Sequence, residues 1–285
     1  MDFIWNAIKD MLKSIINANL TNMFTDVNNN VGTIAGQVGT TPQTWNSSVF
    51  NMIRNLSDTV ILPIAGLILT FVLCFELITM VTDKNNMHDV DTWMFFKYLF
   101  KACVAVYLVS HTLDITMAVF DVAQHIVSAA SGSISHDTHI DIATALTNID
   151  AELDTRNIGG LVLLVMETAL ISTAMNIVGI VITIILYGRM IEIYLVISVA
   201  PIPFSTFTNR EWGSIGNNYV RSLLALGFQG FFMMVCVGIY AVLIQSFTVT
   251  TDLHTTLFSI AAYTVILCFT LFKTGSISKS IFNAH

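Results

Sequence analysis

Apolar residues fall in a few long runs separated by short polar stretches. Thr59 to Phe75 carries no charge, and the run continues past Glu76 to Val81. Phe95 to Phe120 is apolar, with Lys97 and Lys101 near one end and Asp114 towards the other. Gly159 to Tyr187 is interrupted only by Glu167. Ser222 to Thr251 is uncharged, and Leu253 to Phe272 follows. A helix needs about 20 mostly apolar residues to cross a bilayer. The pattern therefore predicts five transmembrane helices.

Two segments read less simply. Ile191 to Phe207 is apolar but short, with Glu192 near its start and Pro201 and Pro203 near its end. Two prolines so close remove backbone donors from a regular helix. The segment can be a sixth span, an extension of the third, or a re-entrant or interfacial piece. At the N-terminus, Ile4, Ile8, Met11, Leu12, Ile15 and Ile16 recur at helical spacing, with Lys9, Asp10 and Lys13 opposite. That predicts an amphipathic helix on the membrane, on a neighbouring subunit or on its own domain. It lacks the basic start and cleavage site of a secretory signal. Residues 21–51 are rich in Asn, Thr, Gly and Gln, and Gly32, Gly36 and Gly39 weaken a helix there. They are expected as loop or extended chain. The resulting division is an extracytoplasmic segment over 1–58 and a membrane domain over 59–285, with an external loop at 121–157.

Composition supports a chain whose solvent is lipid. Charged residues are 11% of the 285 and hydrophobic residues 54%, with a mean hydropathy of +0.72. Soluble domains carry about 25% charged residues. Disorder is excluded by the same figures. Cys74, Cys103, Cys236 and Cys268 lie in apolar stretches without a CxxC pair. They are expected as reduced core residues.

Only Lys and Arg near span ends set orientation. Five spans with the N-terminus outside put Lys84, Lys97, Lys101, Arg189, Arg210, Arg221, Lys273 and Lys279 inside. Arg54 and Arg156 remain outside near a span. The reversed six-span arrangement puts Lys84, Lys97, Lys101 and Arg189 on the wrong side. The expected topology is N-out and C-in.

No GxSxG, P-loop or HExxH occurs, and no enzyme or cofactor is expected. His136, His139 and Asp141 have donors close in sequence, which suits a solvated loop better than a metal site. Glu76, Asp114 and Glu167 lie within or at the ends of spans. A charge at mid-bilayer costs at least about 2.5 kcal/mol, so such groups face the protein interior, a partner or water. Glu167 is thus a candidate pore or subunit contact. Gln229 is another, with helix–helix hydrogen bonding as the alternative. Lys97 and Lys101 are four apart and share a helix face. They can form a basic ring in an oligomer or simply anchor the cytoplasmic end.

Ile191 to Gln245 carries a further pattern. An apolar helix runs into Ala200-Pro201-Ile202-Pro203-Phe204, then come Arg210, Trp212, Tyr219 and Arg221, then a long apolar helix. This resembles TrbL and its relatives, the polytopic inner-membrane subunit of type IV secretion systems (the sixth VirB component class). The stretch around Arg210-Glu211-Trp212-Gly213 is most similar to the subgroup on conjugative elements of Gram-positive bacteria. Ala200-Pro201 stands where the family usually has Gly-Pro. The resemblance implies an all-α polytopic protein of the bacterial cytoplasmic membrane. It implies a channel or channel-base subunit that helps export a relaxase-bound DNA single strand. Its implied partners are its own copies in a ring, with a pentamer as the suggested size, other secretion subunits, a cytoplasmic ATPase and membrane lipid. Pro201 and Pro203 would set a cytoplasmic turn, at 200–212, and Trp212 would fix its depth.

An acidic chain, net −7, is a poor conduit for a polyanion unless charge is local. Here the acidic residues gather in 121–157 and the expected cytoplasmic rim is basic. The rival readings are a stand-alone secondary transporter or ion channel, and a scaffold of the secretion complex without a conduit.

Overall fold

The computed structural model describes residues 2–82, 92–134, 142–245 and 253–284. All regular elements among them are helices. They are α1 (Asp2–Val38), α2 (Pro42–Trp45), α3 (Ser47–Leu56), a π turn (Ser57–Ile61), α4 (Leu62–Thr82), α5 (Thr92–Ser110), α6 (Thr112–Ile134) and α7 (Ile142–Thr155). Then follow α8 (Ile158–Ser198), α9 (Pro201–Thr206), α10 (Gly213–Gln245) and α11 (Leu253–Ile281).

Six described helical stretches are long and apolar enough to cross a membrane: Ser47–Thr82, Thr92–Ser110, Thr112–Gly132, Ile158–Ser198, Gly213–Ile244 and Leu253–Ile281. Five were expected. The extra one arises because the span expected at 95–120 is split at His111. The His111 N–H bonds the Tyr107 carbonyl at 3.1 Å, and the His111 carbonyl accepts the Ile115 N–H at 3.0 Å. Both are i to i−4 bonds; the first closes the end of α5 and the second opens α6, with His111 shared between them. The Thr112 hydroxyl donates back to the Leu108 and Val109 carbonyls, a bond that bends helices.

The segment 191–207 divides: residues 191–198 continue the third expected span within one helix, and 201–206 form the separate short α9. Helix α8 has 41 residues, roughly 60 Å at 1.5 Å per residue. That exceeds the ~30 Å hydrocarbon core, so α8 projects beyond it unless steeply tilted. Pro63 sits in the first turn of α4, where it has no N–H to give. The preceding π turn absorbs this: the Leu62 N–H bonds Ser57 rather than residue 58.

The chain forms two compact units. The first comprises Met1–Gly39, Val127–Tyr187 and Phe231–Thr274. Its N-terminal segment corrects the expectation for 21–51: helix α1 continues to Val38, and α2 and α3 occupy 42–56. The reason is a buried stripe, Leu12, Ile16, Leu20, Met23, Val27, Val31, Ile34 and Val38, recurring every three or four residues. Gly32 and Gly36 face open space, where a side chain would meet nothing. Burial of the stripe against Leu153, Leu161, Leu164, Met175, Ile182 and Leu257 outweighs about 1 kcal/mol lost per glycine. Much of the expected external loop at 121–157 is helical as well, in α6 and α7.

The second unit comprises Thr40–Ile126, Gly188–Gly230 and Gly275–His285. Its core gathers Phe50, Ile53, Leu69, Val109, Phe120, Ile193, Ile197, Phe204 and Leu223. Tyr194 lies within it and donates to the Pro42 carbonyl at 2.6 Å. All four cysteines are free, but Cys74 and Cys103 are exposed and Cys236 and Cys268 only half-buried. They are not the core residues expected. Apolar context in a lipid-facing helix does not mean burial inside the protein.

Candidate functional site

The turn between α8 and α10 is built in the second unit from both prolines. Helix α8 ends at Ser198, and Pro201 opens α9, where its missing N–H would have had no helical partner. Pro201 is buried and Pro203 half-buried. The Phe207 N–H closes α9 on the Phe204 carbonyl at 3.2 Å. Gly216 lets α10 start close to this turn. A Cβ there would stand 2.8 Å from the Pro203 carbonyl oxygen and 2.8 Å from Phe207 Cδ2. Tyr219 is buried beside it, donates to the Val196 carbonyl at 3.0 Å and packs edge-on against Phe204 at 5.8 Å.

Asn209 is the centre of the turn. Its Oδ1 accepts the N–H groups of Glu211 at 2.8 Å and Trp212 at 3.0 Å, closing the turn that leads into α10. Its Nδ2 donates to Glu76 Oε2 on α4 at 2.8 Å. The other Glu76 oxygen pairs with Lys101 of α5. Trp212 lies parallel to Phe71 and Phe75 of α4, with ring centroids 5.5 and 5.8 Å apart. The turn is thereby fixed to α4 by one polar and two aromatic contacts, and through Glu76 to Lys101 of α5. Arg210 and Arg221 are exposed.

The remaining candidates are placed as follows. Lys97 is exposed and stands 5.7 Å above the Trp93 ring. Lys101, four residues on, is committed to Glu76. Gln229 is buried at 7% exposure. It faces α11, its Nε2 3.2 Å from where a Gly275 Cβ would be. Ser278, on the same stretch of α11, donates to the Ala225 carbonyl at 2.5 Å, and Lys279 pairs with Glu192 of α8 at 2.8 Å. Arg189 is buried nearby in sequence, and its Nε has no partner among the described residues.

Glu167 belongs to a network in the first unit. Arg156 donates to His254 Nε2 at 2.8 Å and to Glu152 Oε1 at 2.6 Å. Guanidinium groups only donate, so Nε2 is an acceptor and the ring proton sits on Nδ1. That Nδ1 donates to Glu167 Oε2 at 2.5 Å. Nearby, Lys13 of α1 pairs with Asp154, and Asn17 donates to Asp150 at 2.7 Å. The Lys13 hydrogen bond and charge hold the Asp154 carboxyl below its ordinary 3.8.

Asn209 and His254 escaped sequence reading. Asn209 carried a signal, a turn-forming residue shortly before an apolar helical run. His254 carried none, because its meaning depends on Glu167, 87 positions away. His136, His139, Asp141 and Lys84 lie outside the described residues.

Long apolar helices in two packed units, with charges paired near their ends, define a polytopic membrane protein. A family model described as TrbL/VirB6 plasmid conjugal transfer like protein matches residues 27–201, more than half of the chain, and the chain belongs to that family. It is therefore a multi-pass membrane component of a conjugal transfer system. Neither a curated protein nor a solved structure matches the chain. The matched residues include Lys97, Lys101, Glu167 and Pro201, and end before Pro203, Arg210, Trp212, Tyr219, Arg221 and Gln229.

Proposed function

We propose that the protein is a channel or channel-base subunit of a type IV secretion system, helping to move relaxase-bound single-stranded DNA across the cytoplasmic membrane. Family membership carries this reading. In it, copies of the chain form a ring, other transfer components dock on it, and a cytoplasmic ATPase supplies energy. The apolar face of α8 supports assembly in lipid: Leu163, Met166, Leu170, Ile177, Ile180 and Ile184 are all well exposed. Such a face meets either acyl chains or another helix.

With α5 and α6 taken together as one crossing, as in the five-span reading, the charge count favours an N-out, C-in orientation. The turn carrying Arg210 and Trp212 then faces the cytoplasm, where an ATPase acts. Lys97 has no carboxylate partner among the described residues, which leaves it available to another molecule. Lys101 and Glu167 are engaged within the chain, which supports a shaping role for them, whereas the buried Gln229 Oε1 has no partner among the described residues. The Gram-positive assignment rests on the stretch from Arg210 onwards, beyond the family match.

The test is single-particle imaging of the protein in lipid nanodiscs, with formaldehyde capture of the transferring strand in mating cells. A closed ring with a central opening and captured DNA is expected. A ring without DNA contact points to a scaffold, and a monomer without a shared cavity overturns both.

A further inference from the structure

Helices α4 and α5 leave a cavity between them at the end that carries their charges. Its volume is about 230 Å³, and it is lined by Glu76, Met80, Met94, Lys97, Tyr98 and Lys101. Glu76 is fully engaged: one oxygen pairs with Lys101 and the other accepts Asn209. The Tyr98 hydroxyl is likewise used, donating to the Leu73 carbonyl at 3.0 Å. Lys97 is exposed over Trp93 and has no ion pair among the described residues. The three charged side chains sum to one positive charge, which a monoanionic phosphodiester would neutralise.

We propose that this cavity binds the phosphate of an anionic phospholipid headgroup, between Lys97 and Lys101. Three observations favour lipid over a soluble phosphate or a nucleic acid. The cavity lies at the end of two helices apolar enough to span a membrane, at the depth where basic pockets meet headgroups. Its volume is below the ~300 Å³ of sites that enclose larger ligands, so it admits a headgroup and not a nucleotide. Its surroundings are ready for acyl chains: Met80 and Met94 line it, and Trp93, Phe95, Phe96 and Phe100 are exposed beside it. Aromatic residues in that position mark the membrane interface. The Glu76 carboxylate prevents the pocket from becoming strongly basic. It holds Lys101 in place while leaving Lys97 to supply the net charge.

The test is native mass spectrometry of the full chain in detergent, titrated separately with phosphatidylglycerol, phosphatidylcholine and inorganic phosphate. The wild type should prefer phosphatidylglycerol to phosphatidylcholine by about fivefold, the value of one lysine near a charged headgroup. Lys97→Gln should abolish that preference, and Lys97→Arg should keep it. Because Lys97 makes no ion pair among the described residues, neither change removes a polar contact between α4 and α5. Equal retention of the two lipids, or an unchanged preference in Lys97→Gln, overturns the site. Displacement of phosphatidylglycerol by equimolar inorganic phosphate assigns the pocket to soluble phosphate and overturns the lipid.

Discussion

Asn209 reaches Glu76 across 133 residues of sequence, with Nδ2 2.8 Å from the carboxylate, while its Oδ1 accepts the Trp212 N–H in the turn before α10. One side chain therefore both closes that turn and seats it against α4. Losing a hydrogen bond of the turn costs about 0.5–1.5 kcal/mol, and an unpaired oxygen on Glu76 adds to that. Asn209→Ala should lower the melting temperature in detergent. Asn209→Ser keeps a turn-closing oxygen without reaching Glu76 and should fall between the two. A wild-type melting temperature for Asn209→Ala would remove Asn209 from this role.

Trp212 stacks on Phe71 and Phe75 with interplanar angles of 15° and 7°. Such pairs contribute about 0.5–1.5 kcal/mol each beyond burial. Trp212→Ala should reduce conjugative transfer more than it reduces the amount of protein in the membrane. Trp212→Phe should retain most transfer, because a ring remains between α10 and α4. Mating assays normalised to immunoblots make the comparison, and normal transfer by Trp212→Ala contradicts the prediction.

The contact between Lys13 and Asp154 makes the first unit sensitive to acid. The folded state holds the Asp154 carboxyl below its ordinary 3.8, first through the Lys13 hydrogen bond and then through the Lys13 charge. A depressed carboxyl stabilises the fold fully above the unfolded value and loses that contribution as pH falls through the folded value. The effect should be absent from pH 5 to 7 and appear below about pH 4. Asp154→Asn should remove this part of the acid slope. Hydrogen exchange in α1 and α7 across pH 3–6 reads it; identical slopes in the two proteins would exclude the contact.

Orientation is open to direct labelling. In a background without the four native cysteines, His139→Cys should react in intact cells with an impermeant thiol reagent, and Lys84→Cys should not. The reverse labelling would invert the topology.

The sequence by itself determined the class of protein and the position of most spans. Lipid leaves backbone groups no partner except each other, so each crossing must be a long apolar helix, and charge-free runs locate it directly. The same reading stumbled where the deciding signal was a face rather than a run. Residues 21–38 look polar and glycine-rich, yet Met23, Val27, Val31, Ile34 and Val38 form a buried stripe. Their neighbours occupy the opposite face, where glycine and asparagine cost little. The break at His111 left no mark in composition; there Thr112 opens α6 and its hydroxyl bonds back to Val109 of α5.

Only the tertiary structure decided what the charged residues do. Glu76 read as a lone carboxylate near a span end. Its cost is offset by Lys101 and Asn209, which the fold brings from 25 and 133 positions away. Lys97 and Lys101 share a helix face by spacing alone. The fold gives one to Glu76 and leaves the other beside an open cavity. Electrostatic roles depend on distances of a few ångströms between elements distant in the chain, and those distances are set by packing, not by order in the sequence.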